Sequence, residues 1–383
     1  MSGHALLKTA SALALTLPVA ALADSISPSS FTATLGIGES VTINKTVTVS
    51  EEATGLVDIF FLADTTGSMT GILNSVKTNA VTALATILAT NPGVDFRFGV
   101  GNYKDAPYDP YVYQMQYNVS AGATEAASQT GAVAAIGGWS ADGGSDGPEG
   151  QIYALKQIAD TTDWRTGATR VVVWFGDAPG HTPRGTTWPL TSGDAVDEAG
   201  AIAALTAENI EVRAIGTATG YPQDLNADCS AFGFSDGPGC TAGQADRIVA
   251  ATGGGYVSGV DSTTIVAAIQ DAIVTAIDTY TLVGLDLSEV PAGVTVSSAP
   301  GSYAGSYDRS VERSFGFDVT FTGVAPGTYP FSIYGTVDGA RVATESDRIV
   351  VGGGTVPEPG SLALLGLGMA GLGAARRRRG SNA

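Results

Sequence analysis

Asp64, Thr66 and Ser68 stand at alternate positions directly behind the apolar run 57–63, Val-Asp-Ile-Phe-Phe-Leu-Ala. Such a run reads as a buried parallel strand, and open α/β sheets bind ligands at the carboxyl ends of their strands. One carboxylate and two hydroxyls delivered there make an all-oxygen set suited to Mg²⁺, Mn²⁺ or Ca²⁺. The same residues also fit an ordinary strand-to-helix turn with Thr66 or Ser68 as helix N-cap. Two further segments bear on the choice. Residues 145–150, Ser-Asp-Gly-Pro-Glu-Gly, end a Gly-rich loop ahead of an amphipathic stretch over 151–159. Residues 171–177, Val-Val-Val-Trp-Phe-Gly-Asp, read as a second buried strand that ends in a carboxylate.

The spacing Asp64-x-Thr66-x-Ser68 resembles the metal-ion-dependent adhesion site of von Willebrand factor A domains. In the integrin β-subunit variant, an Asp-x-Pro-Glu-Gly loop supplies a direct carboxylate and a later strand end supplies another Asp. Glu149 falls on the first and Asp177, in Gly176-Asp177-Ala178, on the second. The resemblance covers roughly residues 55–280, the size of one α/β domain. It implies Asp64 and Glu149 as acidic ligands, Thr66 and Ser68 as hydroxyl ligands, and Asp177 as a direct or water-mediated ligand. An open coordination position would then accept an acidic group from a partner, either protein or polysaccharide. The integrin regulatory site is not expected, because Thr70, Gly71 and Ile72 replace its acidic residues. A second, synergistic Ca²⁺ site would draw on Asp105, with Asp146 and Glu149 on the loop side. Asp105 also suits a plain turn just before Pro107.

The chain ends concern destination. Lys8, an apolar run over 10–22 and the ending Ala21-Leu22-Ala23 follow the plan of a secretory signal peptide spanning 1–23. At the other end, Pro357-Glu358-Pro359 precedes an apolar stretch over 361–375 and the arginines 376–379. This resembles the PEP-CTERM sorting signal of Gram-negative bacteria, which an exosortase processes during export. The arginines act as a cytoplasmic stop, and the Gly-rich stretch is shorter than the ~20 residues of a comfortable span. The expectation is a transient inner-membrane anchor, then release to the cell surface or extracellular matrix. A permanent single-span tail is the other reading.

The whole chain carries a formal net charge of −18. Removing Lys8, the four arginines and Glu358 takes it to about −22. Bulk electrostatics then exclude nucleic acid and acidic membranes as partners and favour divalent cations. Cys229 and Cys240 lie in the loop-like stretch 224–243, and outside the cytoplasm one disulfide between them is the simplest reading.

Strand and helix signals alternate through the centre, which predicts an α/β fold with a doubly wound, mostly parallel sheet. Val76, Ala80, Leu84, Ile87 and Leu88 mark its first helix, and Ile265, Ile269, Ile273 and Ile277 its last, with Asp261-Ser262 as cap signal. Further strands are expected over 95–101 and 210–216. The flanks alternate with period two: Val41, Ile43, Val47 and Val49, then Phe315, Phe317, Val319 and Phe321, then Tyr329, Phe331 and Ile333. Such strands between Gly/Pro turns mark a smaller all-β sandwich. Residues 281–352 are few for a complete sandwich. The segment 24–54 could finish it, leaving 55–280 as an insertion, or could form an independent hairpin. Residues 353–383 form the linker and sorting signal.

Other chemistries fit less well. A haloacid-dehalogenase-like phosphotransferase also places a strand-end Asp before Mg²⁺, but its phosphatase members need a second carboxylate where Thr66 stands. Asp142-x-Gly144-x-Asp146 lacks the bidentate Glu of an EF-hand, Tyr153 standing in its place. No phosphate loop is present, and His181, the one histidine beyond the signal peptide, has no nucleophile beside it. His181 more simply orders the loop after Asp177. The expectation is a secreted binding protein that is not an enzyme, with a structural matrix protein holding a stabilising metal as the alternative.

Overall fold

Fifteen strands and six α-helices make up the regular structure of the described residues, with strands alone at both ends and the helices confined to the centre. The computed structural model describes residues 24–51, 55–105, 109–144, 147–183, 195–219, 224–228 and 242–352. The expected signal peptide, Asp146, both cysteines and the carboxyl-terminal tail therefore lie outside the described residues.

Strands β1 (Ser25–Ser27), β2 (Ser30–Gly36) and β3 (Ser40–Val49) come first. The α/β region follows as β4 (Gly55–Asp64), α1 (Thr70–Thr90), β5 (Val94–Tyr103), β6 (Tyr113–Tyr117), α2 (Glu125–Gly137) and α3 (Gln151–Thr161). It continues as β7 (Thr169–Gly176), α4 (Glu198–Ala207), β8 (Ile210–Thr217), α5 (Gln244–Thr252), β9 (Gly255–Val260) and α6 (Ile265–Asp278). The sheet order is β6-β5-β4-β7-β8-β9, parallel except for β6. The chain winds outward from β4 to β6, then returns to β7 and winds the other way. The switch point thus lies between β4 and β7, the strands that end at Asp64 and Asp177. Ligands of such sheets bind at that crevice.

The sheet is covered on both faces, which explains why β4 is apolar without alternation. Ile59, Phe61 and Ala63 pack with α1, α2 and α6 on one side. Phe60 and Leu62 pack with α3, α4 and α5 on the other. Full burial of each such aliphatic or aromatic side chain contributes about 1.5–3 kcal/mol. The segment Gly67–Thr90 is apolar enough to cross a membrane by length and composition. In the fold, however, Ile72, Leu73, Val76, Ala80, Leu84 and Ile87 are buried in the cluster over the sheet. The cap of α6 falls later than Asp261-Ser262 suggests. Thr264 holds the N-cap place, while Asp261 Oδ1 accepts from the backbone N–H groups of Thr263 and Thr264 at 2.8 and 3.1 Å.

The carboxyl-terminal strands are β10 (Thr279–Asp286), β11 (Val294–Ala299), β12 (Ser302–Asp308), β13 (Arg313–Gly323), β14 (Gly327–Val337) and β15 (Ala340–Gly352). Two sheets result, β1-β3-β13-β11 and β12-β10-β14-β15-β2. β3 runs antiparallel to β13 with Val47 opposite Phe315, and β2 runs parallel to β15. The strands before and after the α/β region therefore share one core, built on Phe317, Phe321, Ile333 and Ile349. β14 turns into β15 through Asp338 and Gly339, both with positive φ (47° and 84°), as a two-residue hairpin turn requires.

Both connections between the two regions meet at one side chain. α6 passes into β10 with no residue between them. Arg309, buried beside that passage, donates from Nε to Ile277 O (3.2 Å) and from Nη1 to Ser50 O (3.3 Å). Its Nη1 also pairs with both oxygens of Asp24 at 3.0 and 3.1 Å, and Asp24 Oδ1 accepts from Ser50 N at 2.7 Å.

Candidate metal centre

Asp64 closes β4 with its side chain fully buried. Oδ1 accepts from Thr66 N at 2.8 Å and from Thr66 Oγ1 at 2.7 Å. Thr66 precedes the one-turn 3-10 helix Gly67–Met69, yet its hydroxyl makes no capping bond. It turns back to the carboxylate instead, and the plain N-cap reading fails at that residue. Asp64 Oδ2 is buried with no hydrogen-bond partner. Ser68 is exposed, and its hydroxyl donates to Asp177.

Asp177 follows the last residue of β7 and is buried, accepting at Oδ2 from the Thr219 hydroxyl. Burial raises its carboxyl above the ordinary range, while the bonds from Thr219 and Ser68 pull the other way. Gly176 is required between these groups. A Cβ there would lie 2.1 Å from Tyr103 Oη and 3.2 Å from Asp64 Oδ2.

Glu149 is also buried, and the short bridge between Glu149 and Gly180 holds its backbone. Glu149 N donates to Pro179 O and His181 N donates to Glu149 O, each at 2.9 Å. Gln244 fixes Gly180 in turn, accepting from its N–H at 2.7 Å and donating to its carbonyl at 3.2 Å. Thr66 and Glu149 converge on Gly144, whose φ is +71°. A Cβ there would lie 2.8 Å from Thr66 Cβ and 3.2 Å from Glu149 Oε1. A glycine is needed for the loop to pass this close to the Thr66 side chain and the Glu149 carboxylate.

The electrostatics are lopsided. Burial first, and the Asp177 carboxylate second, push Asp64 up to about 7. Tyr103, buried below, is held well above its ordinary value by burial and then by Asp64, with Glu149 and Asp177 adding. Lys104 is the nearby cation. Its Nζ donates to Thr65 O at 2.8 Å and to the carbonyl and carboxylate of Asp142, tying the 141–144 loop across the turn after β4. Among the described residues no three His, Cys, Asp or Glu side chains are grouped so as to hold an ion by themselves. An ion here would need hydroxyl oxygens and water as well. The donors present suit a hard divalent cation, because Asp64 has a buried oxygen without a partner and Gly144 lets the loop close in on Thr66 and Glu149. Asp64, Thr66, Ser68, Glu149 and Asp177 would hold it, and it would supply positive charge and an open coordination position.

Of the residues of the expected second site, Asp105 and Glu149 are described. Asp105 Oδ2 lies 3.3 Å from His181 Nε2, and its backbone N–H donates to Asp109 Oδ2 at 3.2 Å. Asp146 is outside the described residues. His181 thus bridges the Asp105 turn to the Glu149 segment. Sequence reasoning missed Tyr103, Lys104, Asp109 and Thr219. Asp109 also accepts from Gly144 N at 3.1 Å, so it shapes the loop from outside the motif. The adjacent glycines 143 and 144, both at positive φ, were the available signal for that loop.

The carboxyl terminus matches the PEP-CTERM protein-sorting motif over residues 355–379. A protein carrying this motif is exported and processed by an exosortase. Among curated proteins, the chain is similar to the Alpha-protein kinase vwkA of Dictyostelium discoideum, 28% identical over 129 residues. That stretch is 34% of this chain and 19% of the kinase, so the chain spans under a fifth of that relative's length. Among solved structures, it is similar to von Willebrand factor type A from Catenulispora acidiphila. That match has a TM-score of 0.41 and 14% identity, covering 90% of this chain and 77% of that one. It is also similar to the pilus adhesin SpaC from Lactobacillus rhamnosus GG in its open conformation, with a TM-score of 0.38 and 13% identity, covering 82% of this chain and 45% of that one. Proximal thread matrix protein 1 from the mussel byssus gives a TM-score of 0.38 and 13% identity over 62% of this chain and 48% of that one. The chain has a doubly wound α/β fold joined to a β-sandwich and ends in a PEP-CTERM motif.

Proposed function

We propose that this is a secreted adhesion protein, not an enzyme, that captures a partner through a divalent cation at the rim of its parallel sheet. Asp64, Thr66, Ser68, Glu149 and Asp177 hold the ion, Mg²⁺ or alternatively Ca²⁺ or Mn²⁺. The partner, a protein or polysaccharide, presents an acidic group to the open position. The observation that carries this reading is the buried, partnerless Oδ2 of Asp64 at the switch point, with Asp177 close enough to raise its pKa. Like charges buried together are stabilised by a cation between them. A phosphotransferase reading finds less support, because Thr66 gives its hydroxyl to Asp64 and no carboxylate stands in its place.

The test is capture from the extracellular matrix of the producing cells, with Mg²⁺ and with EDTA. Partner should be retained with the ion, lost with EDTA, and lost in Asp64→Ala under both conditions. Equal capture in all arms would remove the metal from the mechanism. A thermal shift with Mg²⁺ but no ion-dependent capture would leave a structural matrix protein with a stabilising metal.

A further inference from the structure

Lys45 occupies an inward position of β3, between Ile43 and Val47, and is wholly buried in the sandwich. Its amine contacts the Glu345 carboxyl and lies 3.5 Å from Asp347 Oδ1. Both acids come from inward positions of β15, two residues apart, and both are buried. The rings of Phe31 and Phe321 lie against the amine, with centroids at 5.6 and 5.2 Å. Glu345 Oε2 and Asp347 Oδ2 have no hydrogen-bond partner. A buried ion pair persists as such when its remaining lone pairs are satisfied, and here two carboxylate oxygens are not. Burial, with Asp347 adding, raises Glu345 to about 7, which suits a group that takes up and returns a proton.

We propose that Lys45, Glu345 and Asp347 form a self-condensing site in which the Lys45 amine becomes joined to the Asp347 side chain by an amide bond. The roles follow from distance. Glu345 touches the amine and serves as proton carrier. Asp347 holds its carboxyl beside the amine, with Oδ1 3.5 Å from Nζ, so that a small side-chain adjustment brings Cγ within reach. Nζ adds to Cγ of Asp347, a C–O bond breaks, and one oxygen leaves as water. The two protons that the ammonium loses depart on that oxygen, relayed by Glu345, which ends as it began. No oxidant or cofactor is needed. The aromatic walls exclude the water that would otherwise oppose condensation, and folding supplies the proximity. The product ties β3 to β15 across 302 residues of sequence, closing a covalent ring around the entire α/β insertion.

Mass spectrometry of the full chain, purified as secreted and denatured, tests this. A digest should yield a branched peptide joining the Lys45 and Asp347 segments, lighter by one water than its two parts. Processing at either terminus does not affect that peptide. Asp347→Asn should form the same link with loss of ammonia in place of water. Glu345→Gln and Lys45→Arg should give only separate peptides, with circular dichroism confirming that each variant is folded. Unlinked peptides from the wild type would overturn the proposal. Loss of ammonia from Glu345→Gln would overturn the assignment by showing Glu345 to be the acylated residue.

Discussion

Three acids crowd the rim of the parallel sheet, Asp64, Glu149 and Asp177, and the neighbouring Lys104 is held on Thr65 O and on Asp142. In the sandwich two acids, Glu345 and Asp347, close on a lysine supplied by the chain itself. Both clusters are buried, yet they sit at opposite kinds of place. The rim lies where loops meet solvent, so its missing positive charge can be supplied from outside and withdrawn again. The sandwich cluster lies between two sheets and has no such access. The first arrangement favours reversible capture, the second a permanent bond.

Lys45→Met tests the contrast most severely. It leaves two buried carboxyls with neither the amine nor the proposed link to it, and the cost should be at least about 3–5 kcal/mol by urea unfolding. A loss under about 1 kcal/mol would mean that the acids are neutral and neither paired with nor bonded to Lys45. Asp64→Ala is the matching change at the rim and should behave differently. Without metal it should cost little, since it removes one of two repelling acids. With the ion at roughly 100 times its dissociation constant, the wild type should gain about 2.7 kcal/mol in the same titration and the variant almost none. An equal gain in both would assign the effect to the acidic surface.

Glu211 on β8 lies between these extremes, partly shielded and paired with Arg213. Burial pushes it up to about 7 from its ordinary 4.5, opposed by Arg213. Between those values the folded chain keeps a proton that the unfolded chain has released. Stability should therefore fall as pH rises through that window and level off above it. Glu211→Gln should remove the slope and gain roughly 2 kcal/mol near pH 8, read from urea midpoints across pH. An unchanged slope would place the titration elsewhere. The smallest effect is expected at Gly144. Alanine there is strained by positive φ and meets Thr66 and Glu149. It should cost about 1 kcal/mol and blunt the Mg²⁺ thermal shift more than it lowers the metal-free melting temperature.

The rim was largely legible because its residues follow strands that cannot be mistaken. Buried apolar runs 57–63 and 171–175 fixed where Asp64 and Asp177 emerge. Strand β6 was not legible, since Tyr113–Tyr117 is a half-exposed edge strand whose glutamines blur any apolar period. Lys104 was hidden for another reason: a strand-end lysine ordinarily faces water, and only the fold turns it onto Thr65 and Asp142. Lys45 is the instructive case. The alternation through Val41, Ile43, Val47 and Val49 skips it, as though the pattern broke there, yet the pleat carries it inward with the others. Hydrophobicity marks the face of a strand only where the buried partner is apolar.

The inserted region hangs from the sandwich by two backbones that converge on Arg309, at the end opposite the rim. β4 runs from that junction directly to Asp64, with β5 and β7 hydrogen-bonded along its two edges. A pull applied to an ion on Asp64 would therefore travel down a single strand lengthwise. To yield, that strand would have to slide past both neighbours, breaking its ladder bonds together instead of peeling them singly. The guanidinium below, bonded to Ser50 O and Ile277 O, shares the remaining tension between the two backbones. A strand loaded lengthwise in this way resists tearing better than one whose ladder bonds are peeled apart one at a time.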